Sequence, residues 1–189
     1  MVKIICEGKT DKNFIKNFLK FLEIEVSDDN FIVIGNKSNI FKIDNKEYKT
    51  LLTLIKAEKI EKVLFIVDSD YQQDNAKFGG YENTQKEIEK LLDELRIREI
   101  SDYFISCNPT TKEGYLESLI LSTIDENLKK CYMEFLDCIE FKEKNHHKYI
   151  VTELHKLTKP NKPYNFNHKN FDILKEKLIK MFKWKNSKE

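Results

Sequence analysis

Apolar residues along this chain fall into short unbroken runs, separated by longer stretches in which they recur every three or four positions. The runs are "VKIIC" (2–6), "FIVIG" (31–35), "VLFIVD" (63–68) and "DYFISC" (102–107). Their length and their content of Val, Ile and Phe predict strands, and the uninterrupted stretch from Val63 to Val67 suits a central strand covered on both faces. Between the runs the spacing is helical. Phe14, Phe18, Leu19 and Leu22 predict a helix from an N-cap at Thr10 to about Leu22. Leu51, Leu52, Leu54 and Ile55 predict a second from Lys46 to Glu58, and residues 82–97 a third.

This β-α-β-α-β-α-β alternation predicts an α/β, Rossmann-like fold, with an open, mainly parallel four-stranded sheet flanked by helices. After Cys107 the pattern is helical, with helices expected near 115–122, 125–138, 146–157 and 168–184. In the last, Phe171, Leu174, Leu178 and Met181 or Phe182 form a stripe that packs on the body of the protein. "TKPNKPYN" (158–165) is the one credible linker, and no internal repeat or low-complexity tract appears.

Composition bounds the class. With 189 residues, 40% hydrophobic and 34% charged, the chain reads as one soluble domain or one domain with a helical appendage. No stretch approaches 18 apolar residues, and "MVKIICEGKT" lacks the apolar core of a signal peptide, so a cytoplasmic protein without a membrane span is expected. Cys6, Cys107, Cys131 and Cys138 include no close pair of the metal-binding kind, and read as reduced, mostly packed thiols. The net charge of +1 conceals a split. Residues 142–189 hold 13 lysines against five acids, +8, leaving 20 basic and 27 acidic side chains, −7, in residues 1–141. A basic tail on an acidic front suggests a polyanion partner.

The candidate chemistry lies where the strands end. Gly8, Gly35, Gly79, Gly80 and Gly114 all follow strands, at the carboxyl edge where open α/β sheets bind ligands. The carboxylates gather there too: Glu7 after the first strand, Asp68 and Asp70 after the third, Glu117 shortly after the fourth. If the first and third strands are neighbours, Glu7 and the aspartate pair converge, and a hard divalent cation, Mg²⁺ or Mn²⁺, is the natural compensation. The competing reading is that Asp68 and Asp70 merely end a strand and hydrogen-bond a turn. "EGKTD" is no phosphate-binding Walker loop, because the glycine needed five positions before Gly8 is Lys3. His146 and His147 are adjacent, so on a helix they diverge by about 100° and do not readily share a metal. In the tail, Tyr149, Tyr164, Phe166 and Trp184 lie among lysines; such residues either stack on single-stranded nucleic acid or pack in a small core of the tail's own.

With Glu7-Gly8 after the first strand, Gly35 ending the second and Asp68-Ser69-Asp70 after the third, the sequence resembles the Toprim domain. That family includes bacterial primases, type IA and II topoisomerases and OLD-family nucleases. "CEGKTDKNFI" looks like the first motif of OLD-like and small stand-alone Toprim proteins, and "GNKSNI" (35–40) like their second. The resemblance covers roughly residues 1–120 and implies a Toprim-like α/β domain over 1–122; the helical, lysine-rich extension expected over 123–189, packed on that domain, lies beyond it. No ATPase, zinc-binding or tyrosine-bearing cleavage motif of the family's larger members accompanies it.

Carried over to this chain, the resemblance makes Asp68 and Asp70 metal ligands and Glu7 a ligand or general acid/base. Asp11 ligates or orients, Glu117 is a further acidic ligand, and Lys37 (or Lys9) stabilises phosphate charge. Gly8 and Gly35 are positions of close approach to the cofactor. The expected activity is Mg²⁺- or Mn²⁺-dependent hydrolysis of phosphodiester bonds in DNA or RNA, with the basic C-terminal region holding the nucleic acid. The alternative is a non-catalytic Toprim module that binds metal and a protein or nucleic-acid partner as a regulator or scaffold.

Overall fold

A computed structural model describes residues 1–140, 153, 157 and 164–182. The four apolar runs are strands β1 (Val2–Cys6), β2 (Phe31–Val33), β3 (Lys62–Asp68) and β4 (Ser101–Ser106). They form one sheet in the order β2-β1-β3-β4, and every neighbouring pair is parallel. Helices α1 (Lys9–Phe21), α2 (Lys37–Ile40), α3 (Lys46–Lys56) and α4 (Tyr81–Leu95) fall in the connections between strands. After β4 come α5 (Leu116–Leu121), α6 (Glu126–Cys138) and α7 (Asp172–Phe182).

Two apolar layers cover the sheet, and the period-two alternation of each strand supplies both. Val2, Ile4 and Cys6 of β1, Leu64 and Ile66 of β3, and Phe104 of β4 face a layer built from Phe14 and Phe18 of α1, Leu116 and Leu119 of α5, and α7. Ile5, Val63, Phe65, Val67 and Ile105 face the opposite layer, built from Leu51 of α3 and Ile88, Leu91 and Leu92 of α4. β3 is therefore buried from Val63 to Asp68, as its unbroken apolar run requires.

The C-terminal stripe closes the first layer. Leu174, Leu178 and Met181 of α7 are buried with Phe171, and the Phe166 ring stacks on Phe18 of α1 at 4.4 Å between centroids. Tyr164 packs edge-on against Phe14 at 5.0 Å. Tyr164 and Phe166 are thus core residues of the sheet layer. They neither form a separate small core of the tail nor present rings for stacking on nucleic acid. His146, His147, Tyr149 and Trp184 lie outside the described residues, as does most of the helix expected over 146–157.

Three local expectations differ from the structure. α1 begins at Lys9, so Thr10 is inside the helix, and the first turn is closed from within: Gly8 N donates to Asp11 Oδ2 at 2.7 Å. This is the returning half of a capping box, with Asp in the third position. α2 was not marked by any apolar periodicity, being a single turn capped by Asn36, whose side chain accepts from Asn39 N at 2.8 Å. Cys6 and Cys107 are buried, but Cys131 and Cys138 are exposed on α6, which buries only Tyr132 and Leu136. Among the described residues no helix is long and apolar enough to cross a membrane.

Candidate active site

The strand order makes β1 and β3 neighbours, and their register sets the site. Cys6 lies opposite Ile66, so Glu7, one residue past β1, reaches the end of β3. There its Oε1 accepts from Asp68 N at 3.0 Å. β2 steadies the same residue from the other side, because Gly35 N donates to Glu7 O at 2.7 Å. Gly35 turns there with φ +104°, a left-handed conformation that favours glycine. Gly8, by contrast, is extended, and its Cβ position would meet Asp11 Oδ2 at an ordinary 3.5 Å.

The Asp-Ser-Asp segment is tied on several sides. Asp68 is buried and its Oδ1 accepts from Leu116 N at 2.9 Å, joining the end of β3 to the start of α5. Ser69 is fully buried. Its N donates to Ser106 O at 2.8 Å, its hydroxyl to Lys112 O at 2.9 Å, and its O accepts from Lys37 Nζ at 2.7 Å and Thr84 Oγ1 at 3.2 Å. Asp70 then turns left-handed, φ +58°, which Asp tolerates better than most residues. It forms an antiparallel bridge with Gly114, with N–H···O distances of 2.8 and 3.1 Å. Gly114 has φ +99°, and a Cβ there would collide with the Ser118 hydroxyl and lie 2.8 Å from Ser118 Cβ. No larger residue fits the turn that positions Asp70.

Lys37 is the cation of this edge. It is 4% exposed, held by α2 immediately after the second-strand loop, and its Nζ lies 3.2 Å from Asp70 Oδ2. Burial pulls its pKa down, against the opposing pull of Asp70 and then Glu7 and Asp68. Glu7 is perturbed the other way. Burial, then the Asp70 and Asp11 carboxylates, push it up to about 7, although the Asp68 N–H and Lys37 both favour its charged form. A group that titrates near neutrality, beside two further acids and a lysine, is suited to general acid/base work.

Of the residues singled out in the sequence, Glu7, Asp11, Asp68, Asp70 and Lys37 are electrostatically linked at the carboxyl edge. Glu117 follows Leu116, which holds Asp68, but its buried carboxylate acts on Tyr164, whose hydroxyl is raised first by burial and then by Glu117. Among the described residues no three His, Cys, Asp or Glu side chains are already grouped to hold a metal ion. Ser69, Thr84 and Gly114 were not singled out as site residues, and Thr84 has no local signal, since its partners become neighbours only through the fold. No family model, curated protein or solved structure matches the chain.

Proposed function

We propose that the chain is a Toprim-like, Mg²⁺- or Mn²⁺-dependent phosphodiesterase acting on nucleic acid. The observation that carries this reading is the approach of Glu7 to the Asp68–Asp70 segment across adjacent parallel strands, with the Glu7 pKa raised to about 7 by burial and then by the neighbouring Asp70 and Asp11 carboxylates. The donor set is all carboxylate oxygen, which is what a hard divalent cation takes. Asp68 and Asp70 would hold the ion, with Glu7 beside it.

When bound, such an ion polarises the phosphodiester and lowers the pKa of an attacking water. The chain's own residues do the rest. Glu7 keeps Oε1 on the Asp68 N–H and uses Oε2 to accept the proton of the water. Lys37 holds Ser69 O and Asp70, which orients the second aspartate and places a positive charge for a phosphate oxygen. The bridge to Gly114 fixes the loop that carries Asp70. A second reading, a non-catalytic Toprim module, is favoured by one observation: among the described residues no three acids are pre-gathered for a metal, and Glu7, Asp11, Asp68 and Asp70 each serve a local hydrogen bond or ion pair.

The test is cleavage of supercoiled plasmid, single-stranded DNA and structured RNA with Mg²⁺ or Mn²⁺, comparing the native chain with Glu7→Gln and Asp68→Asn. Metal-dependent cleavage that both substitutions abolish supports hydrolysis and identifies the substrate. Equal activity in all three proteins, or none in any, removes the enzymatic reading and leaves the module.

A further inference from the structure

The open edge of the sheet carries a cavity that the chemistry at the carboxylates does not use. β4 ends the strand order, so one side of its backbone has no neighbouring strand. Ser106 O accepts from Ser69 N, which turns Ser106, and by alternation Phe104 and Asp102, toward β3. Tyr103 and Ile105 therefore turn their N–H and C=O groups outward. The Tyr103 N–H is already engaged, donating to Asp102 Oδ1 at 2.8 Å. Tyr103 O and both backbone groups of Ile105 have no hydrogen-bond partner among the described residues. Ile105 is only 5% exposed, and backbone groups buried to that degree are nearly always paired.

A cavity of about 250 Å³ lies along this edge. It touches both Phe104 and Ile105, whose side chains enter opposite layers of the core, so the two share it along the backbone between them. Tyr81 and Tyr103 wall it on one side of the sheet, Leu119 of α5 and Ile173 of α7 on the other. Three charged residues line it among the described residues: Asp102, Lys112 and Lys177. Asp102 is paired with Lys177 at 2.5 Å, whereas Lys112 has no ion pair among the described residues. One positive charge is therefore left over, on the loop that follows β4.

These features select an occupant. The volume is below the roughly 300–1,000 Å³ that holds drug-sized ligands, and suits about one nucleoside. Rings on one side and aliphatic side chains on the other suit a flat heterocycle. Tyr103 O and Ile105 N set an acceptor beside a donor, which complements the donor and acceptor along the base-pairing edge of a nucleobase. Lys112 supplies a point charge for a phosphate. A peptide strand needs a longer row of free edge groups, and the bond from Tyr103 N to Asp102 interrupts that row.

We propose that the cavity at the open edge of β4 is a nucleotide site, with the base against Tyr103 O and Ile105 N and the phosphate on Lys112. The site needs no metal, and it does not rest on the hydrolytic reading of the carboxylate edge.

The test is isothermal titration calorimetry of the full chain in EDTA with AMP, GMP, CMP and UMP, and with ribose 5-phosphate as the control that lacks a base. At least one nucleotide should bind at one site per chain, about tenfold or more tighter than ribose 5-phosphate. Ile173 is 61% exposed, so Ile173→Trp fills the mouth of the cavity without disturbing the core, and should abolish binding. Lys112→Gln should weaken it about tenfold. Lys86→Gln, exposed on α4 and away from the cavity, makes the same change in net charge and should leave it unaltered. No nucleotide bound by the native chain, ribose 5-phosphate bound as tightly as the nucleotides, or binding that survives both Ile173→Trp and Lys112→Gln overturns the site. A trinucleotide that binds more tightly than its mononucleotide supports the site as a seat for one unit of a strand, and one that binds no more tightly supports it as a seat for free nucleotide. Carboxylate-dependent cleavage in a chain that binds no nucleotide in EDTA overturns the site alone. Nucleotide binding in a chain that cuts nothing with metal supports the site and sinks the hydrolytic reading.

Discussion

Glu7→Gln is expected to make the protein much more stable at pH 8 and only slightly more stable at pH 5. Glu7 titrates at about 7 in the fold, against 4.5 for an unperturbed glutamate, because burial and then Asp70 and Asp11 disfavour its charge. Between those values the folded protein keeps a proton that the unfolded chain has lost. Stability from this group is therefore full below about pH 4.5 and is lost as pH rises through 7. At about 1.4 kcal/mol per pH unit, the ionised Glu7 costs the fold on the order of 3 kcal/mol at pH 8. Glutamine removes the charge but keeps a carbonyl Oε1 for the Asp68 N–H, 3.0 Å away in the native chain. For a domain of this size, about 2–4 °C of melting temperature per kcal/mol gives a gain of up to roughly 6–12 °C at pH 8. Thermal unfolding followed by circular dichroism in EDTA, at pH 5 and pH 8, measures it. A difference between variant and native chain that is the same at both pH values, or a less stable variant at pH 8, would refute the account of Glu7.

Two further outcomes follow from the same edge. Lys37→Met removes a buried cation from beside Asp70, Glu7 and Asp68, and should cost on the order of 3 kcal/mol at pH 8, measured by urea unfolding. The cost should shrink at pH 5, where Glu7 is neutral; a cost independent of pH would show that Lys37 acts by packing alone. Gly114→Ala forces a side chain into a left-handed turn and against Ser118, and should destabilise by about 2–4 kcal/mol while lowering any activity that depends on Asp70. An alanine variant with native melting temperature would mean that the Asp70–Gly114 bridge is not held as tightly as its geometry suggests.

What was legible in the sequence was legible because local pattern and tertiary environment agree. The apolar run into Asp68 predicts a covered strand, and β3 is one, with its acid at the carboxyl end. That Glu7 meets this acid was conditional on strand order, which no residue between them encodes; it follows from how the crossover connections stack helices on the sheet. Asp11 shows the limit of reading a motif residue by type. The resemblance makes it a residue that ligates or orients; in the fold its Oδ2 closes the first turn of α1, and its charge acts on Glu7 through space. Lys37 was one lysine among many in composition, and becomes singular because one turn of helix buries it against Ser69 and Asp70. The tail aromatics were ambiguous for a similar reason: a ring beside lysines can face solvent or core, and only their packing on Phe14 and Phe18 of α1 decides for Tyr164 and Phe166.

That packing has a consequence for synthesis on the ribosome. Val2, Ile4 and Cys6 are synthesised about 170 residues before Leu174, Leu178 and Met181, which belong to the layer that covers them. At about 5–20 residues per second, roughly 10–30 s of translation separate the strand from its cover. During that interval the apolar face of β1 is a target for chaperones, and the strand that carries Glu7 has no finished support. A nascent chain therefore holds the acidic residues before the edge they form, and the site comes into being only as α7 closes that layer.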